Sequence, residues 1–455
     1  MSRSGKVYLH NNFVGTIGES NDGDYIFEYT DEYIASSNSE GVSLTLPKSV
    51  KIYRQAYLHG FFDGLIPEGW LLGHAVKNWK LKNNDRMGLL LNMCQSTIGA
   101  THIVGEGQDK ISKFKNLVEY AGQTSLIKTK YTTDKCLISY ESLVDPKDKK
   151  NESIKAELFR PIEAKRIFGD GKYQSQLDLG MDDLETMAKE QTNARINVTG
   201  VQKKLSLEIA KGEGASSGRL TIVDFDGSFI LKPPSDDYPN MPEIEHLCMR
   251  MAKLAGFEVP GCALIPLRSG ELAFIIKRFD RKGSTKHYQE DFCQLMDKPT
   301  ADKYKSSIEK CSKIIKSHCE DKVTNLSLFF DLNFYNFLIG NADMHLKNFS
   351  LILNKKTMKY QLSPCYDLLS TKILLPEDIE QTALAINGKK NKLKKDDWIS
   401  LALNMGLKES YVDVTIKRYK KFFPKMFSLI EKSFLTDENK ELLKNLMREN
   451  LDQVS

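Results

Sequence analysis

The feature that most constrains the fold is a hydrophobic period that changes twice between residues 203 and 280. Apolar residues alternate with polar ones in "KKLSLEIA", "RLTIVDF" and "SFILKPP", which predicts three strands joined by turns. The next stretch, "EIEHLCMRMAKLAG", has helical spacing and ends at Gly256, and "CALIPLR" and "LAFIIKRFD" then read as strands. Three sequential strands with short turns predict an antiparallel sheet.

The rest of the chain divides by composition. At 455 residues it is too long for one core, so two or three domains are expected. Strand-like stretches such as "GVSLTLP", followed by helical spacing, predict a small β-rich unit over residues 1–106. Residues 107–180 are polar and lysine-rich and are interpreted as a linker or loosely packed insert. Residues 181–295 hold the five strands, and 296–455 are helical by periodicity, with one predicted hairpin in "SLILNKKTMKYQLSP". The predicted fold class is α+β, with a β-rich N-terminal domain, a lobe built on an antiparallel sheet and an all-helical second lobe.

Charge and cysteine content argue against several functional classes. The 65 Lys and Arg residues exceed the 60 Asp and Glu residues by only five, too few for a dedicated polyanion binder. The N-terminus lacks the apolar core of a secretory signal, and no window approaches the roughly 18 apolar residues of a membrane helix, so a cytoplasmic protein without membrane contact is expected. Eight scattered cysteines without a C-x-x-C pair argue against a disulfide framework or a zinc knuckle.

The order of strands and helix matches the small lobe of a protein kinase. Lys232 ends the strand "FILK", where its ammonium could bridge the α- and β-phosphates of ATP. Glu245 lies thirteen positions later on the predicted helix and is a candidate ion-pair partner for this lysine, with Glu243 as an alternative. Lys232 taken alone could equally be a surface lysine, so the rest of the sequence has to decide.

The segment "GNADMHLKNF" provides the next part of the pattern. Asp343 precedes Asn348 by five positions, the D-x-x-x-x-N spacing of a kinase catalytic loop, in which the Asp faces the substrate hydroxyl and the Asn reaches a magnesium ion. A second metal-binding Asp is expected beyond a short hairpin, and Asp367 in "LSPCYDLLST" lies there. Each feature alone also fits a turn or a helix cap, but their order along the chain indicates a kinase site.

Two further side chains of this segment are open to more than one interpretation. His345 could orient Asp343 or contact a phosphate, or it could bond a backbone carbonyl and fix the loop. Lys347 is predicted to point toward the transferring phosphoryl group, with a solvated lysine as the alternative.

These motifs resemble the HipA family of bacterial serine/threonine kinases, the toxins of HipBA-type toxin–antitoxin modules. The resemblance rests on "FFDGLIPEGW", "STIGATHIV", "TGVQKKLSL", "FILKPP", "KRFDR", "QEDFCQ", "LIGNADMHLKNFSLI" and "LSPCYDLLS", which span nearly the whole chain. It implies a HipA-like kinase fold, ATP and Mg²⁺ as cofactors, and Asp343 as catalytic base. Asn348 and Asp367 would be metal ligands and Lys232 would bind phosphate.

The resemblance also implies where nucleotide and partners bind. The nucleotide loop would include Gly200, Val201 and Gln202, and the hinge would present the backbone of Lys277 and Phe279 to adenine and Asp280 to the ribose, with Glu245, His345 and Lys347 nearby. Family members phosphorylate aminoacyl-tRNA synthetases and so stall translation. They are typically neutralised by a helix-turn-helix antitoxin, through which DNA would be contacted only indirectly.

One departure from the family concerns self-inactivation. Family members autophosphorylate a Ser in the loop before G-x-Q-x-K, and this chain has Asn197 at that position, which cannot be phosphorylated. Thr199, two residues later in "NVTGVQ", can accept a phosphoryl group and is the predicted autophosphorylation site. The alternative is a strand residue whose hydroxyl bonds the backbone.

Two rival functions stay open. A small-molecule kinase would use the same D-x-x-x-x-N segment and distal Asp. An inactive kinase-like subunit would serve only to dock an antitoxin and DNA, although the expected catalytic carboxylates and the Lys are present.

Overall fold

A computed structural model gives the fold of the chain. It describes residues 3–37, 40–108, 131–143, 158–169, 177, 179–193, 202–210, 219–222, 227–283 and 285–455.

The N-terminal domain is an antiparallel sheet covered by short helices. Its elements are β1 (Arg3–Leu9), β2 (Asn12–Glu19), β3 (Tyr25–Tyr29), α1 (Asp31–Ala35), β4 (Ile52–Gln55), α2 (Gly60–Asp63), α3 (Gly69–Trp79), α4 (Arg86–Met93) and β5 (Thr101–Gly105). The strand order is β4-β3-β2-β1-β5, with antiparallel pairing throughout. The predicted β-rich unit is therefore present, and α2 and α3 are separated around Gly64 and Pro67.

The predicted strand "GVSLTLP" is wrong. Ser43 and Leu46 form only an isolated bridge, because side chains bind the backbone groups that a neighbouring strand would otherwise bind. The Tyr29 hydroxyl donates to the Leu46 carbonyl and accepts from the Val42 amide. The Glu290 carboxylate accepts from the Leu44 amide at 2.9 Å.

The second unit has the kinase-like order. Its elements are α5 (Pro161–Phe168), α6 (Met181–Asn193), β6 (Leu205–Ala210), β7 (Arg219–Ile222), β8 (Phe229–Lys232), α7 (Met241–Leu254), β9 (Cys262–Pro266) and β10 (Leu272–Lys277). The five strands form an antiparallel sheet in the order β7-β6-β8-β10-β9, as predicted. Successive side chains of β10 point to opposite faces of the sheet. Phe274 and Ile276 pack in a core with α7, whereas Ala273 and Ile275 pack in a second core with α5 and α6.

The expected loose packing of residues 107–180 does not hold for the parts that the structure describes. Phe159, Ile167 and Phe168 are buried in the core on the outer face of the sheet. The amide of Leu264 in β9 donates to the carbonyl of Leu137 at 3.0 Å. Lysines and other polar residues are spread through this range and give it a polar character, although the apolar residues between them cover the sheet.

The C-terminal lobe is helical apart from a small sheet. Its elements begin with β11 (Arg281–Lys282), β12 (Thr285–Lys286), β13 (Gln289–Asp291), α8 (Phe292–Leu295), α9 (Ile308–His318), α10 (Lys322–Leu338), β14 (Ser350–Asn354), β15 (Lys359–Leu362), α11 (Thr371–Leu374), α12 (Lys395–Met405), α13 (Ser410–Lys432) and α14 (Asp437–Gln453). The predicted hairpin forms β14 and β15, to which β13 adds a third strand, so the lobe is predominantly rather than entirely helical. Trp398 is fully buried among Phe330, Phe334 and Phe337 at the centre of its core. Within the described residues no helix has the length and apolar character needed to cross a membrane.

The packing of α5 on the sheet can be tested with two isoleucines of that one helix. Ile167 is 5% exposed and Ile162 is 70% exposed. Replacing Ile167 with Ala should lower the free energy of unfolding by about 2–5 kcal/mol, because a buried side chain is removed from a packed core. Ile162→Ala should change it by no more than about 0.5 kcal/mol. Urea titration measures both, and equal values would show that α5 does not pack as described.

Candidate active site

A cavity of ≈ 720 Å³ lies between the sheet of the second unit and the C-terminal lobe. Its volume is in the range of sites for small molecules and cofactors. All three parts of the chain contribute to its wall: Glu68 comes from the N-terminal domain, Lys232 from the sheet and Asp343 from the C-terminal lobe.

Lys232 is buried at the centre of an ion-pair cluster. Its Nζ lies 2.5 Å from Glu245 Oε1 and also contacts the carboxylate of Asp367. Of the two partners that the sequence offered, Glu245 is the one in contact with Lys232. Burial opposes the charged form of Lys232, but the carboxylates of Asp367 and Glu245 outweigh it and raise the pKa of the lysine. Lys232 is therefore a fixed cation in the wall of the cavity.

Asp367 joins this cluster from the other lobe. Its second carboxylate oxygen lies 3.3 Å from the Nζ of Lys204, a residue of the small lobe. Although burial disfavours the ionised carboxylate, the ammonium groups of Lys204 and Lys232 hold the pKa of Asp367 well below its usual range. The backbone of Asp367 is left-handed, with a φ of 53°. This uncommon conformation turns the carboxylate toward the sheet.

The loop that carries Asp343 is held by its own polar groups. Gly340 begins it in the left-handed region, at a φ of 68°. The Asn341 side chain accepts from the amide of Asp343 at 3.1 Å and donates to Asn336 Oδ1 at 2.8 Å. The Thr371 hydroxyl accepts from the Ala342 amide and donates to the Gly340 carbonyl. These bonds account for the fixed shape of a segment that has no regular secondary structure.

The Asp343 carboxylate faces the cavity beside a tyrosine. The hydroxyl of Tyr304 donates to Asp343 Oδ1, and the Tyr304 ring lies edge-on to His345 with centroids 4.9 Å apart. Burial raises the pKa of Asp343 above its ordinary value. The amide nitrogen of Asn348 donates to the Asp343 carbonyl at 2.9 Å. This bond orients the Asn348 side chain, whose oxygen is the atom that could bind a metal.

Lys347 differs from its predicted orientation, and His345 is a buried ring for which several roles were open. The ammonium of Lys347 is buried 3.3 Å from Asp291, 3.6 Å from Glu68 and 3.2 Å from the Gly64 carbonyl, so its contacts lie on the side of the N-terminal domain. Burial lowers the pKa of His345 to about 3, which makes the ring neutral at pH 7. Among the described residues the Nδ1 of His345 has no hydrogen-bond partner, so this nitrogen does not form the expected bond to a backbone carbonyl.

The predicted hinge residues line the cavity. Lys277 uses its backbone amide in a bond to the Gly261 carbonyl, and the Phe279 ring packs on Tyr366. Asp280 is buried, and its oxygens accept from Arg278 at 2.6 and 2.8 Å and from the Gly99 amide at 3.3 Å. The carboxylate of Asp280 therefore ties the hinge to the N-terminal domain, and its contact with a ribose stays a prediction.

The nucleotide loop is described only in part. Gln202 lines the cavity and its Nε2 lies 3.0 Å from the sulfur of Met241. Thr199, Gly200 and Val201 lie outside the described residues, as does Asn197.

Comparison with known proteins identifies the family of the chain. The model of the HipA-like C-terminal domain matches residues 196–426, just over half of the chain, and the model of the HipA N-terminal domain matches residues 5–104. The chain belongs to the HipA family.

Relatives within this group are distant. Two carry the name "Putative kinase": one from Sinorhizobium fredii is 25% identical over 88% of this chain and 85% of its own length, and one from Haemophilus influenzae is 32% identical over 49% of this chain and 71% of its own length. The serine/threonine-protein kinase toxin HipA of Shewanella oneidensis is 27% identical over 42% of this chain and 47% of its own length. A solved complex of HipA, HipB and operator DNA from Shewanella oneidensis has a HipA-like fold in common with this chain, with a TM-score of 0.67 and 17% identity over 99% of this chain and 97% of the solved one.

The side chains of this HipA-family site fit a magnesium–nucleotide complex. Within the described part of the chain, no group of three or more His, Cys, Asp or Glu residues could hold a metal alone. Asn348 and Asp367 line one cavity and offer an amide oxygen and an ionised carboxylate. Two protein oxygens suffice for Mg²⁺ where substrate phosphates and waters supply the remaining ligands.

Several residues of the site are not predicted from the sequence. Lys204, Tyr304 and Glu68 all line the cavity and contact predicted site residues. Lys204 follows the nucleotide loop directly, in "VQKKLSL", which is a usable signal for a phosphate-binding lysine. Glu68 in "IPEGW" carries no such signal, because its partners are far along the chain.

The turn before Asp343 provides a stability test with a matched control. A Cβ on Gly340 would lie 2.6 Å from Leu446 Cδ2 and 2.9 Å from Lys372 Cγ, while Gly388, at a φ of 77°, has open space around it. Both Gly→Ala changes impose left-handed strain, which costs about 1–2 kcal/mol. Gly340→Ala adds a steric clash of about 1–3 kcal/mol. Chemical unfolding should therefore rank Gly340→Ala below Gly388→Ala in stability, and the reverse order would contradict the packing around Gly340.

Proposed function

We propose that this protein is a HipA-type serine/threonine protein kinase that uses ATP and Mg²⁺. The observation that carries the proposal is that the buried Lys232–Glu245 pair, Asp343, Asn348 and Asp367 converge on a single cavity. A buried cation, a carboxylate whose pKa is raised and two oxygen ligands are components that phosphoryl transfer uses.

Each residue then has a defined part in the transfer. Lys232 and Lys204 hold the phosphates of ATP, and Asp343 orients the acceptor hydroxyl and takes its proton. The hydroxyl oxygen bonds to the γ-phosphorus while the bond from that phosphorus to the β–γ bridging oxygen breaks, so ADP leaves. Asn348 and Asp367 would hold Mg²⁺, which would supply positive charge to neutralise the phosphates. The acceptor approaches on the side of Asp343 where the Tyr304 hydroxyl lies, so the tyrosine has to move aside.

The cellular role proposed is that of a toxin. The name of the Shewanella oneidensis relative and the solved complex with HipB and DNA support an antitoxin partner of the helix-turn-helix class, with DNA contacted indirectly through it. The acceptor proposed is a protein hydroxyl, on an aminoacyl-tRNA synthetase, whose phosphorylation would inhibit translation in the cytoplasm.

Incubating the protein with labelled ATP and either a set of synthetases or a set of metabolites separates a protein kinase from a small-molecule kinase. Label on a metabolite alone would favour the rival.

Self-inactivation is proposed to occur at Thr199. A phosphate carries about two negative charges, and in a loop beside ATP it would repel the nucleotide. Peptide mapping after incubation with Mg²⁺ and ATP should find phosphate on Thr199, and Thr199→Val should stay active for longer. Modification elsewhere with an unmodified Thr199 would exclude this residue as the switch.

The catalytic assignment is tested with Asp343→Ala. Loss of the base should lower kcat by about 10²- to 10⁴-fold, while the Kd for ATP stays close to that of the unmodified protein. Asp413 pairs with Lys395 at 2.7 Å and does not line the cavity, so Asp413→Ala is a control whose kcat should not change. Chelation of Mg²⁺ should stop transfer in the unmodified protein. An Asp343→Ala variant with full turnover would overturn the assignment. ATP consumption that stays at the background level with and without Mg²⁺, in the unmodified protein and in every variant, would favour an inactive docking subunit.

A further inference from the structure

A buried carboxylate of the N-terminal domain reaches the catalytic loop. Glu68 is the residue that precedes α3 and is only 8% exposed. Its Oε2 lies 2.8 Å from the Nζ of Lys303, and its Oε1 lies 3.6 Å from the Nζ of Lys347. Glu68 therefore contacts two cations of the C-terminal lobe from another domain.

The two lysines belong to the segments on either side of Asp343. Lys303 precedes Tyr304, whose hydroxyl donates to Asp343, and Lys347 precedes Asn348, whose amide donates to the Asp343 carbonyl. The backbone joins the same two segments, because the Leu346 amide donates to the Lys303 carbonyl at 3.1 Å. A shift of either lysine would thus be transmitted to a neighbour of the catalytic carboxylate.

Lys347 depends on the N-terminal domain for its surroundings. Besides its contact with Glu68, the Lys347 ammonium donates to the Gly64 carbonyl at 3.2 Å and lies 3.3 Å from Asp291. The side chain is nearly inaccessible to water, so its charge has to be compensated by protein groups. Two of these three groups belong to the segment between α2 and α3.

We propose that Glu68 is a positioning residue for phosphoryl transfer: its carboxylate bridges Lys303 and Lys347 and so fixes Asp343 and Asn348 relative to the nucleotide. The proposal rests on the proposed kinase function. It assigns to the N-terminal domain a part in turnover, beyond its packing against the other two units.

The contacts of Glu68 with Lys303 and Lys347 should affect the rate of phosphoryl transfer and have little effect on the affinity for ATP. Glu68 does not contact Lys232, Glu245 or Asp367, which hold the phosphate side of the cavity. Removing its charge should therefore leave ATP binding intact and displace the acceptor side. A displacement of about 1 Å at a reacting group can lower the rate by about 100-fold.

The test is Glu68→Gln, which keeps the size of the side chain and removes the charge. We expect kcat for transfer to fall by about 10- to 100-fold with an unchanged KM and Kd for ATP. The double variant Glu68→Gln/Lys347→Met should lose less activity than the product of the two single losses, because the residues share one contact, and its loss beyond that of Lys347→Met reports the contact of Glu68 with Lys303.

Glu290→Gln is the matched control. Glu290 is also a buried carboxyl at the boundary with the N-terminal domain, where it bonds Ser43 and Leu44, but it contacts no residue of the catalytic loop. This variant should lower the thermal midpoint without lowering kcat. Equal losses of kcat in Glu68→Gln and Glu290→Gln would mean that any loosening of this boundary slows the enzyme, which would overturn the specific role of Glu68.

Amide hydrogen exchange gives a readout that needs no activity. In Glu68→Gln the amides of Leu346 and Asn348 should exchange faster than in the unmodified protein, whereas those of β8 and α7 should not change. If the unmodified protein transfers no phosphate, the proposed function is wrong. The exchange rates of Leu346 and Asn348 then still show whether Glu68 positions this loop. If Glu68→Gln folds poorly, the double variant Glu68→Gln/Lys303→Met is measured in its place. In it Lys303 is removed and Lys347 keeps Asp291 as its partner, so neither lysine is left as an unpaired buried charge. Unchanged exchange together with unchanged kcat would overturn the proposal.

Discussion

The contact of Lys232 with Glu245 and Asp367 is the interaction on which the arrangement of this molecule depends. Removing a charge from water costs several kcal/mol per ion, and attraction to partners compensates this cost only where they are close and well oriented. Lys232 lies on β8, Glu245 on α7 and Asp367 beyond the hairpin of the C-terminal lobe. Satisfying one ammonium group therefore requires the helix to pack on the sheet and the two lobes to close on each other.

The same cluster explains why the site is suited to a polyanion. Lys204 and Lys232 both contact the carboxylate of Asp367, and Lys232 also contacts that of Glu245, so two ammonium groups meet two carboxylates in the wall of the cavity. In the proposed function a bound triphosphate would compete with Asp367 for the two ammonium groups, and the Asp367 carboxylate would gain a divalent cation in exchange. Stability and nucleotide binding thus use one set of charges, which is a reason for both lysines to be buried in advance of binding.

Sequence patterns predicted what is local and missed what is distant. The strands β6–β10 and the helix α7 follow from periodicity, and Asp343, Asn348 and Asp367 follow from their spacing. Each of these patterns can be recognised within a short stretch of the sequence. The pair of Lys303 and Glu68 joins positions 235 apart, and no periodicity identifies which buried carboxylate a given lysine will meet. The described parts of residues 107–180 pack more closely than predicted for a related reason, since Phe159 and Ile167 lie among polar residues in the sequence but share one core on the sheet.

The N-terminal domain contacts the catalytic unit at two ends of the cavity. At the hinge, the Gly99 amide donates to Asp280, whose other contacts are Arg278 and Arg281. At the acceptor side, Glu68 meets Lys303 and Lys347. Separating the domain would leave the buried Lys303 and Lys347 without the Glu68 carboxylate and the buried Asp280 without the Gly99 amide, and the loss of a partner is costly for a buried charge. The placement of these charges means that separating the domain would disturb the hinge and the catalytic loop together, so its packing is part of the site's geometry.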